Sequence, residues 1–181
     1  MTGLAIAVVG PSGAGKDTLI AAAVERDPLL CSVRRVITRA ADAGGEDFDA
    51  VTEAEFERRR AAGDFALSWG AHGLFYGIPV AALDQVKAGG TVLMNLSRGA
   101  LADAAAIFPR FLALYIHARP EVLAARLNSR GRESPEDVAR RILRASQWSE
   151  GLHVPVTTID NSDGIEPALD TFLTAIRKAQ K

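Results

Sequence analysis

The segment Gly10-Pro11-Ser12-Gly13-Ala14-Gly15-Lys16-Asp17-Thr18 constrains the fold of this chain more than any other. An apolar run, Leu4-Ala5-Ile6-Ala7-Val8-Val9, precedes it, and an apolar-periodic stretch from Thr18 to Val24 follows. Strand, glycine-rich turn and helix, in that order, are the context of a phosphate-binding loop. The glycines let the backbone curl so that successive N–H groups face phosphate oxygens. The helix N-terminus adds the positive end of its dipole, and Lys16 adds a full charge. Residues Gly10, Pro11, Ser12, Gly13, Ala14, Gly15, Lys16, Asp17 and Thr18 are therefore the expected nucleotide-phosphate site. Asp17 stands where the motif normally carries a Ser or Thr hydroxyl for Mg2+.

Five apolar runs are spaced as parallel core strands: Leu4–Val9, Val33–Ile37, Thr91–Leu96, Phe111–Ile116 and Val156–Ile159. Helical patterns are expected over 15–26, 52–62, 79–88, 97–107, 119–130, 134–149 and 163–178. Thr52 with Glu55, and Ser134 with Asp137, have capping-box spacing. Alternating strands and helices of this kind predict a doubly wound α/β fold. At 181 residues the chain fits one domain with small insertions. A net charge of −1 and a pI near 6.3 give no bulk attraction to nucleic acid or to an anionic membrane. No apolar stretch reaches bilayer-spanning length. The first strand begins at once, without a basic leader, and Cys31 has no disulfide partner, so a reducing, cytoplasmic setting is expected. Cys31 itself reads as a small buried apolar residue.

Residues 38–78 break the strand–helix rhythm with a glycine-rich loop, one helix and two strand-like pieces near Phe65–Trp69 and Leu74–Tyr76. They read as a lobe inserted on the carboxyl side of the second strand, where open α/β sheets bind ligands. Residues 126–144 carry six arginines (Arg126, Arg130, Arg132, Arg140, Arg141 and Arg144) against three acids, with a break at Gly131. A hinged, arginine-rich helix pair of this kind suits closure over a nucleotide; the alternative for Arg126 and Arg144 is a solvated, salt-bridged surface. His72, His117 and His153 have no partner at metal-ligand spacing, and Trp69, Phe75 and Trp148 read as packing residues. Asn161-Ser162-Asp163 reads either as a nucleotide contact or as a helix start capped by Asp163.

With these segments in place, the chain resembles the guanylate kinase superfamily along nearly its whole length. The matching segments are GPSGAGKDT (10–18), ITR (37–39), FALSWGAHGLFYG (65–77), RLNSRGRE (126–133) and RRI (140–142). The resemblance implies a three-layer α/β/α P-loop kinase fold with a five-stranded parallel core sheet. It implies one domain: a core of 1–37 and 79–181, an acceptor lobe at about 38–78 and a lid at about 126–144. ATP as donor, Mg2+ and a phosphorylated small-molecule acceptor come with it. Arg39 and Tyr76 match the acceptor-phosphate arginine and acceptor tyrosine, while Arg130 and Arg141 match the lid arginines. Monomers and dimers both occur in the superfamily, so a homodimer stays open.

The departures redirect the expected acceptor. Asp42 replaces a second acceptor arginine, Ser68 a base-reading glutamate, Ile78 a base-reading hydroxyl and Phe48 an acceptor tyrosine. Uncharged Met94-Asn95-Leu96-Ser97, followed by Arg98, stands where an acidic pair is usual. A site that reads a base through hydrogen bonds discriminates poorly once those partners are gone. This combination resembles the ribose 1,5-bisphosphate phosphokinases of phosphonate degradation, whose acceptor has two phosphates and no base. The resemblance implies transfer from ATP to the sugar bisphosphate to form 5-phosphoribosyl 1-diphosphate. On that reading Lys16, Arg130 and Arg141 are the catalytic groups. Arg35 and Arg98 are available for the extra phosphate, and Asn95 and Ser97 for ribose hydroxyls, while Arg34 and Arg35 equally suit a strand edge. Asp17 is the candidate Mg2+ ligand, with Thr18 as the alternative.

Overall fold

Leu4–Val9 is apolar at every position and is buried at every position, as a strand covered on both faces requires. The computed structural model of the protein describes residues 3–40, 46–129, 139–140, 143 and 154–181. Its strands are β1 (Leu4–Val9), β2 (Leu30–Ser32), β3 (Arg35–Ile37), β4 (Phe48–Ala50), β5 (Phe65–Ala71), β6 (Leu74–Pro79), β7 (Thr91–Asn95), β8 (Phe111–His117) and β9 (Val156–Asp160). The helices are α1 (Lys16–Arg26), α2 (Glu53–Ala61), α3 (Val80–Lys87), α4 (Leu101–Ile107), α5 (Pro120–Ser129) and α6 (Ile165–Gln180).

Five strands form one parallel sheet in the order β2-β7-β1-β8-β9. Side chains of β1 alternate between two cores. Leu4, Ile6 and Val8 join Leu19, Ala23, Phe172 and Ile176 from α1 and α6. Ala5, Ala7 and Val9 join Ala82, Val86, Leu101 and Ala104 from α3 and α4. Helices therefore cover both faces, giving the three-layer α/β/α fold and the five-stranded parallel core that the sequence predicts. No described helix is long and apolar enough to cross a membrane.

The second core strand is displaced from its expected place. Leu30–Ser32, not Val33–Ile37, pairs with β7, and the last bond to that strand is Val33 N to Leu93 O at 2.9 Å. Arg35–Ile37 instead enters a second sheet of order β4-β3-β6-β5, parallel to β4 and antiparallel to β6. Both pieces are extended and no Gly or Pro separates them, so local pattern cannot show that the chain changes sheets near Arg34. Because β2 is a short edge strand, Leu30 faces the core while Cys31 is exposed, contrary to its reading as a buried residue.

Helix starts follow local chemistry. Thr52 Oγ1 accepts from Glu55 N (3.2 Å), but the Glu55 carboxylate binds Arg58, so one half of the capping box is seen. The expected 97–107 helix opens as a 3-10 turn, Arg98–Ala100, before α4. Helix α6 starts after Gly164 (φ 113°) without a side-chain cap. Asp163 is instead engaged by Arg119 (2.6 Å), which removes the capping role considered for it. The expected helix over 134–149 and its Ser134–Asp137 box fall almost wholly outside the described residues.

Candidate active site

Strand β1 sits at the centre of the sheet and delivers the glycine-rich loop to its carboxyl edge, between the ends of β7 and β8. Glycine is required at two loop positions. Gly10 has φ 148°, and a Cβ there would lie 2.1 Å from Ile116 O. Gly15 has φ 89°, and a Cβ there would lie 2.4 Å from Asn161 Nδ2. The first helical bond of α1 runs from Leu19 N to Gly15 O (3.0 Å). The amides of Lys16, Asp17 and Thr18 thus have no acceptor within the helix and suit an anion. Lys16 Nζ folds back over the loop, donating to Gly10 O (2.9 Å) and Pro11 O (3.1 Å).

The outer side of the loop is braced from two directions. Asn161, 4% exposed, donates from Nδ2 to Ala14 O (2.7 Å). Its Oδ1 is buried with no hydrogen-bond partner among the described residues. Arg126 on α5 donates to Asn161 O (2.9 Å) and, more weakly, to Gly13 O (3.4 Å). Gly13, Gly15, Thr18, Arg126, Asn161 and Ile165 line a cavity of about 250 Å³ between them. Arg126 is thus part of the loop's support rather than a solvated surface charge. The Asn161 turn is itself held by Asp160, whose Oδ1 accepts from Ser162 Oγ (2.5 Å) and Ser162 N (2.9 Å). The Ser162 side-chain hydrogen bond, above all, holds the Asp160 carboxyl below the usual carboxylate range.

Across the sheet edge stands the second sheet. Arg35 is 6% exposed, with Nε 3.1 Å from Glu46 Oε2 and Nη2 2.5 Å from Glu46 Oε1. Its guanidinium lies over the Tyr76 ring, 5.1 Å from the centroid. Tyr76 in turn stacks on Trp69 at 5.3 Å, and Trp69 Nε1 donates to Ser97 Oγ (2.9 Å) just past β7. That bond joins the second sheet to the core sheet. Arg39 lies over Phe48 (4.3 Å) with Nη2 3.6 Å from Glu46 Oε1. Its Nε and Nη2 are buried with no hydrogen-bond partner among the described residues, and Glu46 at 3.6 Å is too far for one, so the guanidinium retains donors that a phosphate could satisfy. Arg34, by contrast, is a surface clamp between β3 and β4, paired with Asp49 (2.9 Å) and Asp47 (3.3 Å).

Sequence expectation and geometry diverge at several residues. Asn95 Nδ2 donates to Asp17 Oδ1 at 2.6 Å, a contact the sequence reading did not anticipate. Arg35 is already ion-paired with Glu46, a residue the sequence reading missed because its partner lies 11 positions back, on β3. Ser97 is engaged by Trp69, and Arg98 is exposed at the start of its 3-10 turn. Ile78 is fully buried in the core under α3 and α4. His117 is built into the loop support through its backbone carbonyl, which accepts from Asn161 N (2.8 Å). Arg130, Arg141, Asp42, Trp148 and His153 lie outside the described residues.

Known proteins resemble this chain in sequence and fold. The guanylate kinase family model matches residues 3–179. The chain is 49% identical over 177 residues to the Agrobacterium fabrum protein named ribose 1,5-bisphosphate phosphokinase PhnN, covering 96% of each chain. It is 52% identical over 169 residues to a Ruegeria protein of the same name, covering 92% of this chain and 88% of that one. The crystal structure of guanylate kinase from Anaplasma phagocytophilum superimposes with a TM-score of 0.75 at 22% identity. That match covers 99% of this chain and 87% of the other, and it carries the fold alone. On the family match and these relatives together, the chain belongs to the guanylate kinase family, among the members named ribose 1,5-bisphosphate phosphokinases.

Proposed function

We propose that this protein transfers the γ-phosphoryl group of ATP to the 1-phosphate of ribose 1,5-bisphosphate, giving 5-phosphoribosyl 1-diphosphate and ADP in phosphonate degradation. The observation that carries the acceptor is Arg39. Its half-buried guanidinium has two buried nitrogens without hydrogen-bond partners among the described residues and only a 3.6 Å ion pair to Glu46. In the same lobe, Ser68 and Ile78 stand at the positions where the resemblance places base-reading groups. Such a lobe can hold a phosphate while leaving a nucleobase unrecognised.

Chemistry follows from charge. An oxygen of the 1-phosphate is anionic at neutral pH, so no general base is needed. It attacks the γ-phosphorus, a new P–O bond forms, the bond to the bridging oxygen breaks, and ADP leaves with that oxygen. The protein's work is alignment and charge stabilisation. The amides opening α1 and Lys16 hold the donor phosphates, and Arg126 and Asn161 line the cavity for the nucleoside. Arg39 and Tyr76, on the strength of the resemblance, hold the acceptor's far phosphate. Arg35, its charge compensated by Glu46, buttresses the Tyr76 ring. Arg130 and Arg141, on the strength of the resemblance, close over the transferring group as part of a lid at about 126–144. Asp17, a hard oxygen ligand in the first turn of α1, fits Mg2+, which when bound screens the donor phosphates. The remaining architecture is proposed as one domain, with residues from about 38 to 78 as acceptor lobe.

An acceptor panel tests the reading. ADP release with MgATP is expected with ribose 1,5-bisphosphate and not with GMP or dGMP. Turnover of GMP without turnover of the sugar bisphosphate would overturn it.

A further inference from the structure

Phosphate-loop enzymes commonly hold Mg2+ with a Ser or Thr hydroxyl on the loop and an Asp at the end of a neighbouring strand. Here both positions are changed, and the changed residues touch. Asp17 takes the loop position and Asn95 ends β7, and Asn95 Nδ2 lies 2.6 Å from Asp17 Oδ1. The two are 78 residues apart in sequence. The sheet brings them together: Asn95 is in register with Val8, two residues before Gly10, and Leu96 N donates to Val8 O (3.0 Å).

We propose that Asp17 and Asn95 are an exchanged metal-holding pair, with the carboxylate moved onto the loop and the neutral hydrogen-bonding group moved onto the strand. The exchange keeps one carboxylate for the cation. It also explains why the strand residue is an amide. An Asp at 95 would set two carboxylates within hydrogen-bond distance, whereas an Asn can donate to Asp17 and fix its orientation. The donated bond occupies Oδ1 and leaves Oδ2, which has no partner among the described residues, to the cation. A carboxylate is the hard ligand that Mg2+ prefers. Asn95 is thereby a positioning residue of the metal site rather than a ribose contact. The inference deepens the proposed function, on which it rests for the nucleotide donor.

The test measures Mg2+-dependent stabilisation of the enzyme–ADP complex by thermal unfolding, with ADP alone as the control. Asn95→Ala should raise the Mg2+ needed for half-maximal stabilisation by about 10–100-fold, the usual range for a residue that orients a metal ligand. ADP stabilisation without metal should not change. Asp17→Ser should lose at least as much of the Mg2+ response. The double variant Asp17→Ser/Asn95→Asp, which restores the common arrangement, should recover it. An unaltered Mg2+ titration in Asp17→Ser, or a double variant no better than Asp17→Ser alone, overturns the proposal. No acceptor is present, so the pair can pass this test even if ribose 1,5-bisphosphate proves not to be the substrate.

Discussion

Glu46→Gln isolates the charge that the lobe is built around. In the wild type, the Arg35 and Glu46 side chains are 7% and 14% exposed, so each charge is stabilised mainly by the other. Removing one partner of such a buried pair costs about 3–5 kcal/mol, because the charge left behind is uncompensated. The lower end applies here, since a Gln oxygen can still accept one bond from Arg35 and the Tyr76 face remains beneath the guanidinium. For a chain of 150–250 residues, a loss of about 3 kcal/mol lowers Tm by roughly 6–12 °C. Calorimetry on the variant reads this directly. The companion Arg35→Met/Glu46→Leu variant removes both charges and should recover most of the lost Tm, as apolar replacements of buried pairs generally do, since Arg39 loses only a 3.6 Å contact and is partly solvated. Arg39 keeps its place and loses only its 3.6 Å ion pair with Glu46, so the acceptor KM should not rise by more than about threefold over wild type, less than the tenfold that 1.4 kcal/mol represents. A Glu46→Gln Tm within 2 °C of wild type, well short of the roughly 6 °C minimum expected, would refute the buried-pair reasoning.

Other perturbations follow from the same geometry. Gly15→Ala forces a side chain into positive φ and onto Asn161, so ATP affinity by calorimetry should collapse while the fold, by circular dichroism, persists. Unaltered ATP affinity would contradict the brace. Lys16→Met should lower kcat by roughly a hundred- to thousand-fold or more, as loss of a preorganised charge at a transferring phosphoryl group does; a loss confined to KM would count against its catalytic role. Ser162→Ala removes the main cause of the depressed Asp160 pKa. A depressed carboxyl contributes stability above its unfolded value near 4 and loses it as pH falls through the folded value. The Tm gap between wild type and Ser162→Ala should therefore be full at neutral pH and shrink in acid; a gap that widens in acid would contradict this.

Much of the framework is legible locally. Strand β1, the glycine-rich loop and α1 announce themselves because apolar run, special backbone positions and helix start are contiguous in sequence. What escapes is set by distant partners. The run from Leu30 to Ile37 serves two sheets, and only its neighbours, β7 on one side and β6 on the other, decide where it divides. Asn95 and Ser97 are polar residues at a strand end in any reading; Asp17 and Trp69 give them their tasks from 78 and 28 residues away. Arg35 looks like a spare cation until Glu46 is placed against it. Arg39 and Tyr76 were legible through resemblance, while the unmade bonds of Arg39 emerge only from packing.

Phosphorus NMR on enzyme, MgATP and ribose 1,5-bisphosphate tests the central claim most directly. The account predicts that the 1-phosphate resonance decays as a coupled diphosphate pair grows in equal amount, with the 5-phosphate resonance retained and one ADP formed per product. A 1-phosphate resonance that persists while GMP, added to the same enzyme, becomes GDP would contradict it.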